Sequence, residues 1–277
     1  MKKNLKLYYA DIGNMGDRLN LLIVEKVFGL SARRRSFLTA ELSAIGSGLD
    51  RYTLHGSPAM RAQQRIYGVI FPRVYIWGTG FINYCDNDPP FFKRDMRFCA
   101  VRGELSRRRA EKLTGGTLDI PTGDGGILCP LLLDSPVEKK YGMGIVPHIC
   151  DLNDPAVEAL AEKYENSVII NVKDDPIEVL RQIAACRAVL SSSLHGLVAA
   201  DAFGVPNRHM IFSDRPLGDG FKFDDYYSAY GVEHIFTDLR QQAAPSFSEV
   251  VSGCPVTPEM VETKKRAMLA AFPPALI

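Results

Sequence analysis

The feature that most constrains the fold is an alternation of short apolar strands and capped helices in the second half of the chain. Val168 to Val172 is an apolar run, which predicts a parallel strand that is covered on both faces. Helices are predicted to begin at Asp154-Pro155 and Asp175-Pro176, because Asp caps free amides and Pro has no donor to lose in the first turn. Glu178 is placed for a capping box in the second of these helices. Strand–helix units with short connections predict right-handed crossovers and a parallel sheet.

The remaining elements follow from the same signals. We predict further strands at 5–9, 74–77, 98–101, 142–146 and 188–190. We predict further helices at 17–28, 104–113 and 194–203, and a final helix that opens at Thr257-Pro258 and packs back across the first domain. Residues 31–65 and 85–96 give no clear pattern. The prediction is an α/β protein with two Rossmann-like domains.

A length of 277 residues favours two domains over one. The segment Gly125–Glu138, with Pro130 and Pro136 around an apolar stretch, is predicted to carry the crossing. We therefore expect an N-terminal domain over 1–135 and a C-terminal domain over 136–277.

The composition excludes several classes of partner. The 33 Lys and Arg residues against 32 Asp and Glu leave a net charge of +1, so no global field attracts nucleic acid or an anionic membrane. We interpret the runs Arg33–Arg35 and Arg107–Arg109 as solvated faces.

The six cysteines and the lack of long apolar runs indicate the cellular compartment of the protein. The cysteines form no C-x-x-C pair and have no His at metal-ligand spacing, which predicts buried, reduced thiols and no metal site. The N-terminal segment lacks the apolar core of a signal peptide, and no stretch approaches the roughly 20 apolar residues of a membrane span. We expect a cytoplasmic protein with no membrane span.

Ligands of open parallel sheets bind beyond the carboxyl ends of the strands. The segments that follow predicted strands are rich in glycine, and none is a Walker loop or a full G-x-G-x-x-G. Among them Ser191–Gly196 is the most informative, because three hydroxyl residues and a histidine lie where a buried strand turns into a helix. Free amides and the positive end of the helix dipole favour an anion there.

His195 is predicted to be a general acid that helps a phosphate to leave. The helix terminus disfavours the charged imidazole until an anion arrives. Alternatively the serines only cap the helix and His195 only fills a polar gap; three serines exceed what one cap needs, which favours function. A Ser/His hydrolase is disfavoured, because no G-x-S-x-G elbow is present and Ser193 and His195 lie on one turn.

Six motifs in chain order carry a resemblance to a known family. They are Gly13-Asn14-Met15-Gly16-Asp17, Trp77-Gly78-Thr79-Gly80, Val101-Arg102-Gly103-Glu104-Leu105-Ser106, Gly123-Asp124-Gly125-Gly126-Ile127-Leu128, Gly144-Ile145-Val146-Pro147-His148, and Ser191-Ser192-Ser193-Leu194-His195-Gly196 with Ala200-Asp201-Ala202-Phe203-Gly204. Through most of its length the chain resembles the polysaccharide pyruvyl transferases. The resemblance implies two Rossmann-like domains like those of GT-B glycosyltransferases, phosphoenolpyruvate (PEP) as donor, and a saccharide acceptor that receives pyruvate as a ketal with release of phosphate. We expect no cofactor.

Two positions depart from the family pattern. Many members have Pro where this chain has Gly125, and some have Arg where this chain has Ser193, which removes a candidate phosphate clamp. Arg208, Arg215 or Lys222 are candidates to replace that clamp.

The resemblance and the residue chemistry together assign candidate roles. The C-terminal domain is expected to hold the donor and the N-terminal domain the acceptor. His195 is the candidate acid; Asp17 is the candidate base, or else caps its helix. Arg102 is expected to bind the donor carboxylate or phosphate, and His148 the donor; as alternatives, Arg102 lies on the surface and His148 is structural. The other expected substrate contacts are Asn14, Ser192, Ser193, Gly196 and Lys222.

Two other functions fit the same architecture. One is a nucleotide-sugar-dependent glycosyltransferase, and the other is a non-catalytic relative that binds a saccharide or a partner protein. The acceptor sugar, its attachment to a lipid and the oligomeric state are left open by the sequence.

Overall fold

The computed structural model describes residues 4–277, so the first three residues of the N-terminal segment that we assessed for a signal peptide lie outside it. Two five-stranded sheets form the framework, and every strand pair in both is parallel. The first sheet has the order β2-β1-β3-β4-β5. Its strands are β1 (Asn4–Tyr8), β2 (Ser31–Arg34), β3 (Leu42–Ser43), β4 (Val74–Thr79) and β5 (Met96–Val101). The second sheet has the order β10-β9-β8-β6-β7. Its strands are β6 (Tyr141–Val146), β7 (Ser167–Ile169), β8 (Cys186–Ser191), β9 (Asn207–Ile211) and β10 (Phe236–Asp238). The predicted fold class, with two Rossmann-like parallel sheets, is confirmed.

Helices connect most of the strands, as the alternation predicts; β2 and β3, and β4 and β5, are joined without a helix. They are α1 (Met15–Leu22), α2 (Pro58–Ile70), α3 (Glu104–Thr114), α4 (Pro155–Ala161), α5 (Pro176–Ala184), α6 (Leu194–Ala202), α7 (Phe221–Ser228), α8 (Phe247–Ser252) and α9 (Pro258–Ala270). The starts predicted at Asp154, Asp175 and Thr257 are confirmed, because each side chain accepts a hydrogen bond from an amide of the first turn. Residues 31–65, which lack a clear sequence pattern, contain β2, the two-residue strand β3 and the start of α2.

Two local predictions need correction. The strand predicted at 168–172 is β7, which ends at Ile169 and lies at the edge of the second sheet. The Ile169 side chain is 38% exposed, so this strand is not covered on both faces. The helix predicted at 17–28 begins at Met15 and changes after Leu22 into a π-helical turn, Ile23–Val27. Its cap is Asn14, whose side chain accepts from the amide of Asp17, so Asp17 is not the cap.

The two sheets share one apolar core. It runs from Leu7 and Trp77 of the first sheet to Val189 of the second and to Val261 of α9. The last helix contacts the first sheet directly, because the indole Nε1 of Trp77 donates to the carbonyl of Met268 over 3.0 Å. The boundary between residues 135 and 136 remains a prediction.

A buried ion pair joins the same two parts of the molecule. Arg102, which follows β5, donates from Nε to Oδ2 of Asp225 in α7 over 2.9 Å, and neither side chain is exposed. Asp225 also accepts from the amide and the hydroxyl of Ser106 at the start of α3, over 2.7 and 2.6 Å. The Arg107–Arg109 run is not a uniformly solvated face, since Arg109 is largely buried beside Asp88 and stacks on Phe81.

Candidate active site

His195 lies where the two sheets meet. It occupies the first turn of α6, directly after β8, and 15% of its side chain is exposed. Its ring packs against Gly16 in the first turn of α1, so closely that an added Cβ at Gly16 would overlap the ring. Gly16 is therefore required as a close approach of backbone to a side chain, and His195 is held between elements of both sheets.

The second neighbour of His195 is Asp124. This buried carboxylate precedes the 3₁₀ turn Gly125–Leu132, and its Oδ1 accepts from the amide of Gly126 over 2.8 Å. Its Oδ2 lies 3.9 Å from Nε2 of His195. Both atoms are buried, and neither has a hydrogen-bond partner within residues 4–277. Two facing polar atoms without partners are uncommon in protein interiors and indicate a functional site.

Burial has the largest influence on the pKa values of His195 and Asp124. It lowers the pKa of His195, and the cations Arg102 and Lys222 lower it further, while Asp124 opposes them. Burial also raises the pKa of Asp124, against the opposite influence of His195. A buried pair of this kind is favoured in a state without net charge, with one proton held between imidazole and carboxylate. The pair can therefore hold one proton and exchange it with a bound group.

Lys222 and Arg102 place positive charge around His195, and His148 lies in the same region. Burial lowers the pKa of Lys222 to about 8, and Arg102 adds to this effect. Burial likewise lowers the pKa of His148 to about 4, with Lys222 as the second cause. These mutual effects show that the cationic groups lie within electrostatic range of one another. A bound anion would favour the charged form of each.

Donor groups remain open at the start of α6. Within residues 4–277, the amides of Leu194 and His195 have no acceptor, and the Ser193 hydroxyl makes no capping hydrogen bond. The ammonium of Lys222 donates to the carbonyl of Leu217 over 3.2 Å and has further donors to offer. This arrangement suits an anion at the helix terminus.

The other two serines of the segment, Ser191 and Ser192, make structural hydrogen bonds. Ser191 donates to the carbonyls of Val146 and Ser193, over 2.8 and 2.9 Å. Ser192 accepts from the amide of His148 over 2.7 Å and donates to the buried carboxylate of Asp151 over 2.9 Å. The argument that three serines exceed structural need is therefore wrong, because two of them join β6 to β8.

Gly196 is explained by packing, because an added Cβ would overlap the hydroxyl of Ser191 and lie 2.9 Å from Val146.

Arg102 is neither a surface residue nor an open ligand-binding cation, the two interpretations that the sequence allowed. Its guanidinium is fully buried and donates to Asp225, to the Ser47 hydroxyl, and to the carbonyls of Gly46 and Phe81. Such an arginine acts on His195 and Lys222 through its charge, and direct ligand contact is not supported by its position.

Two of the three cations suggested as a replacement clamp are engaged elsewhere. Arg208 lies near the amino end of β9 and donates to the carbonyl of Glu249. His195 lies at the other end of the sheet, where the strands have their carboxyl ends. Arg215 is paired with Asp151 and Asp154. Lys222 is the candidate that faces the His195 region.

Asp17 follows Gly16 in the first turn of α1, directly after the loop that leaves β1 of the first sheet. Its Oδ2 accepts from the amide of Ile12 over 2.8 Å, and burial raises its pKa to about 6. Asn14 holds this loop by accepting from the Asp17 amide over 3.0 Å. The start of α1 also contacts the segment that follows β7, since the amide of Met15 donates to the carbonyl of Val172 over 2.7 Å. Asn14 therefore positions Asp17, and Asp17 carries a carboxylate suited to accept a proton near pH 6.

The substitution Asp17→Asn is expected to change the pH dependence of stability. The new amide oxygen can still accept from Ile12, but the variant lacks a carboxyl whose pKa is about 6 in the folded state, against 3.8 ordinarily. The folded protein disfavours the ionised form, so this carboxyl costs stability as pH rises from about 4 to about 6. Urea denaturation across this range should show the variant gaining stability relative to the wild type, with a constant difference above about pH 6. Parallel pH profiles would contradict the shifted pKa.

A cavity of about 320 Å³ adjoins this region at the carboxyl end of β9. Asp151, Ser192, His209 and Phe223 line it together with the turn Gly218–Gly220. Over the part of the chain that the structure describes, no group of three His, Cys, Asp or Glu residues could hold a metal ion.

The family model for polysaccharide pyruvyl transferase matches residues 42–211, which include Asp124, His148 and His195. The chain belongs to the polysaccharide pyruvyl transferase family. Within this family it is similar to the succinoglycan biosynthesis protein ExoV of Rhizobium meliloti (strain 1021), with 26% identity over 242 residues, 83% of this chain and 66% of ExoV. It is also 26% identical over 235 residues to the uncharacterized protein L143 of Acanthamoeba polyphaga mimivirus, covering 82% of this chain and 74% of that protein.

The chain is also similar to a solved structure, the spinosyn rhamnosyltransferase SpnG complexed with spinosyn aglycone. The similarity covers 98% of both chains at 10% identity, with a TM-score of 0.41.

Sequence reasoning on this family member missed one residue of the pair at the centre of the site. Asp124 lies in the motif Gly123–Leu128, but its approach to His195 joins positions 71 residues apart. The available signal was a single acidic residue among the glycines of 123–126. It indicated a ligand loop without indicating which side chain the carboxylate faces.

Proposed function

We propose that this protein transfers pyruvate from PEP to two hydroxyls of a saccharide, forming a ketal and releasing phosphate, in the cytoplasm and in the synthesis of an exopolysaccharide or cell-wall polysaccharide. The observation that carries the proposal is the set of open donors at the start of α6, beside the His195–Asp124 pair and the buried Lys222. PEP offers both a phosphate and a carboxylate to such a site. Family membership supports the general reaction.

The atoms of the reaction balance without a cofactor. Both acceptor oxygens bond to C2 of PEP, and the bond between C2 and the phosphate oxygen breaks. One hydroxyl proton ends on C3, which becomes a methyl group, and the other leaves with the phosphate. The site must therefore bind two anionic groups, accept a proton from the acceptor and supply a proton to the leaving group.

The residues divide these tasks between the two sheets. The amides of Leu194 and His195, the Ser193 hydroxyl and Lys222 bind the donor anions. His195, backed by Asp124, supplies the proton to the phosphate, because a nearby dianion raises the pKa of a buried imidazole. Asp17, from the first sheet, accepts the proton of an acceptor hydroxyl. His148 borders the donor and stays neutral, since its pKa is about 4.

Thermal unfolding tests the donor. A ligand at 100 times its dissociation constant stabilises the folded protein by about 2.7 kcal/mol, a shift of several degrees. We expect PEP to raise the unfolding temperature more than inorganic phosphate does. A shift with nucleoside diphosphates alone would instead support a glycosyltransferase. Absence of any shift, together with no turnover, would support a non-catalytic relative.

The substitution Lys222→Met is expected to weaken PEP binding. A charge-assisted hydrogen bond contributes about 1.5–3 kcal/mol, so the dissociation constant should rise about 10- to 150-fold. In the wild type, PEP affinity should fall as pH rises through about 8, where Lys222 loses its proton. Lys163→Met, at an exposed position after α4, is the matched control and should bind like the wild type. Equal affinities of the Lys222 and Lys163 variants would remove Lys222 from the donor site.

A further inference from the structure

Helix α2 presents its apolar side to solvent. The residues of α2 that are buried are Gln64 and Gly68. Gly68 lies so close to the segment after Pro90 that an added Cβ would overlap the carbonyl of Lys93. The outer side carries Ile66, Val69 and Ile70, and Val69 and Ile70 are 75% and 68% exposed. A surface helix normally shows the reverse arrangement, with its apolar stripe towards the core.

The exposed side chains of α2 border a groove of about 810 Å³. The groove is apolar along most of its length and has two cations at its border, Arg65 and Lys93. Its apolar lining is Leu54, Ile66, Val69, Ile70, Pro90, Phe91 and Phe92. Helix and groove together form a continuous apolar surface, which in soluble proteins marks an interaction site.

The charged side chains of α2 itself have one sign. Residues 55–74 contain no Asp or Glu, and Arg61 and Arg65, both exposed, lie four residues apart on one flank of α2. Arg73, beyond the helix, is neutralised by Asp95 over 2.6 Å. The net charge of +1 for the whole chain hides this local excess.

We propose that α2 and its groove dock on a membrane surface that contains anionic lipids. An exposed apolar helix face with arginines along its flank is the arrangement of helices that lie in the membrane interface, where apolar side chains enter the acyl boundary and arginines meet lipid phosphates. A second copy of this chain fits less well, because an antiparallel two-fold contact through α2 would place Arg61 and Arg65 of both copies on the same flank. The docking is independent of the proposed reaction. No helix among residues 4–277 is long and apolar enough to cross a membrane, so α2 would lie on the bilayer.

Co-sedimentation with vesicles tests the docking. We expect the full-length protein to bind vesicles that contain phosphatidylglycerol, to bind pure phosphatidylcholine vesicles at least about tenfold more weakly, and to lose binding as salt rises. Arg61→Gln with Arg65→Gln should lower the partition coefficient about 30-fold, since each arginine near an anionic surface contributes a factor of about five. Ile66→Gln with Val69→Gln should lower it at least about tenfold.

Phe247→Gln with Val251→Gln on α8 is the matched control, because these apolar side chains are also exposed and lie elsewhere. The control should bind vesicles like the wild type, and all variants should keep the wild-type unfolding temperature and the PEP-induced shift. Equal binding to both vesicle types, no vesicle binding, or α2 variants that bind like the wild type would overturn the proposal. A wild-type dimer that the Ile66/Val69 variant converts to a monomer, without vesicle binding, would assign the surface to self-association.

Discussion

Arg102→Met is expected to destabilise the protein by about 3–5 kcal/mol, because removing one member of a buried ion pair leaves the other charge unpaired. Asp225 would keep the hydrogen bonds from Ser106 but lose the guanidinium, in a place without exposure to solvent. Losses of this size are a large part of the total stability of an ordinary domain. Urea denaturation followed by far-UV circular dichroism measures the change.

Two further variants separate the ion pair from other effects. Arg102→Met combined with Asp225→Leu removes both charges and should recover part of the lost stability, although Ser106 then loses its acceptor. Arg108→Met, at an exposed position of α3, should leave stability within about 0.5 kcal/mol of the wild type. An Arg102→Met protein that is as stable as the wild type and binds PEP more weakly would restore the role of a ligand-contacting arginine.

His195→Ala is expected to lower turnover by about 10²–10⁴-fold, the usual contribution of a general acid, while the protein stays folded. The Nε2 of His195 has no hydrogen-bond partner within the described residues, so the substitution breaks no hydrogen bond of that atom. Turnover is measured as phosphate released from PEP in the presence of an acceptor. An active His195→Ala protein would exclude the acid role, and an unfolded one would support a structural role.

Gly16→Ala tests the geometry of His195 without altering the imidazole. The new methyl group overlaps the ring, so we expect the ring to move and turnover to fall with a loss of stability. In a His195→Ala background the obstacle is gone, and Gly16→Ala should then stabilise the protein by up to about 1 kcal/mol, because alanine is the better helix former. The effect of one substitution on the unfolding temperature should thus change sign with the residue at 195. Equal effects in both backgrounds would contradict the contact between α1 and α6.

Local sequence determined most of the framework. Asp154, Asp175 and Thr257 each precede a proline, and each caps a helix. These starts depend on hydrogen bonds within three residues, so they can be predicted without knowledge of the fold. The parallel sheets follow from the order of strands and helices. The motif at 191–196 likewise marked the helix terminus whose amides remain open.

Only the tertiary structure decided which side chains meet. The facing of Asp124 and His195, the burial of Arg102 against Asp225 and the packing of His195 on Gly16 join residues far apart in the chain. The tertiary structure also determined which serine hydroxyl can bind a ligand. Ser191 and Ser192 make hydrogen bonds that join two strands, while Ser193 does not. The outward apolar face of α2 is a further case, since periodicity shows that a helix is amphipathic and only packing shows which side is covered. Caps and strand order are encoded by neighbours along the chain, whereas ion pairs, pKa shifts and exposed faces depend on neighbours in space.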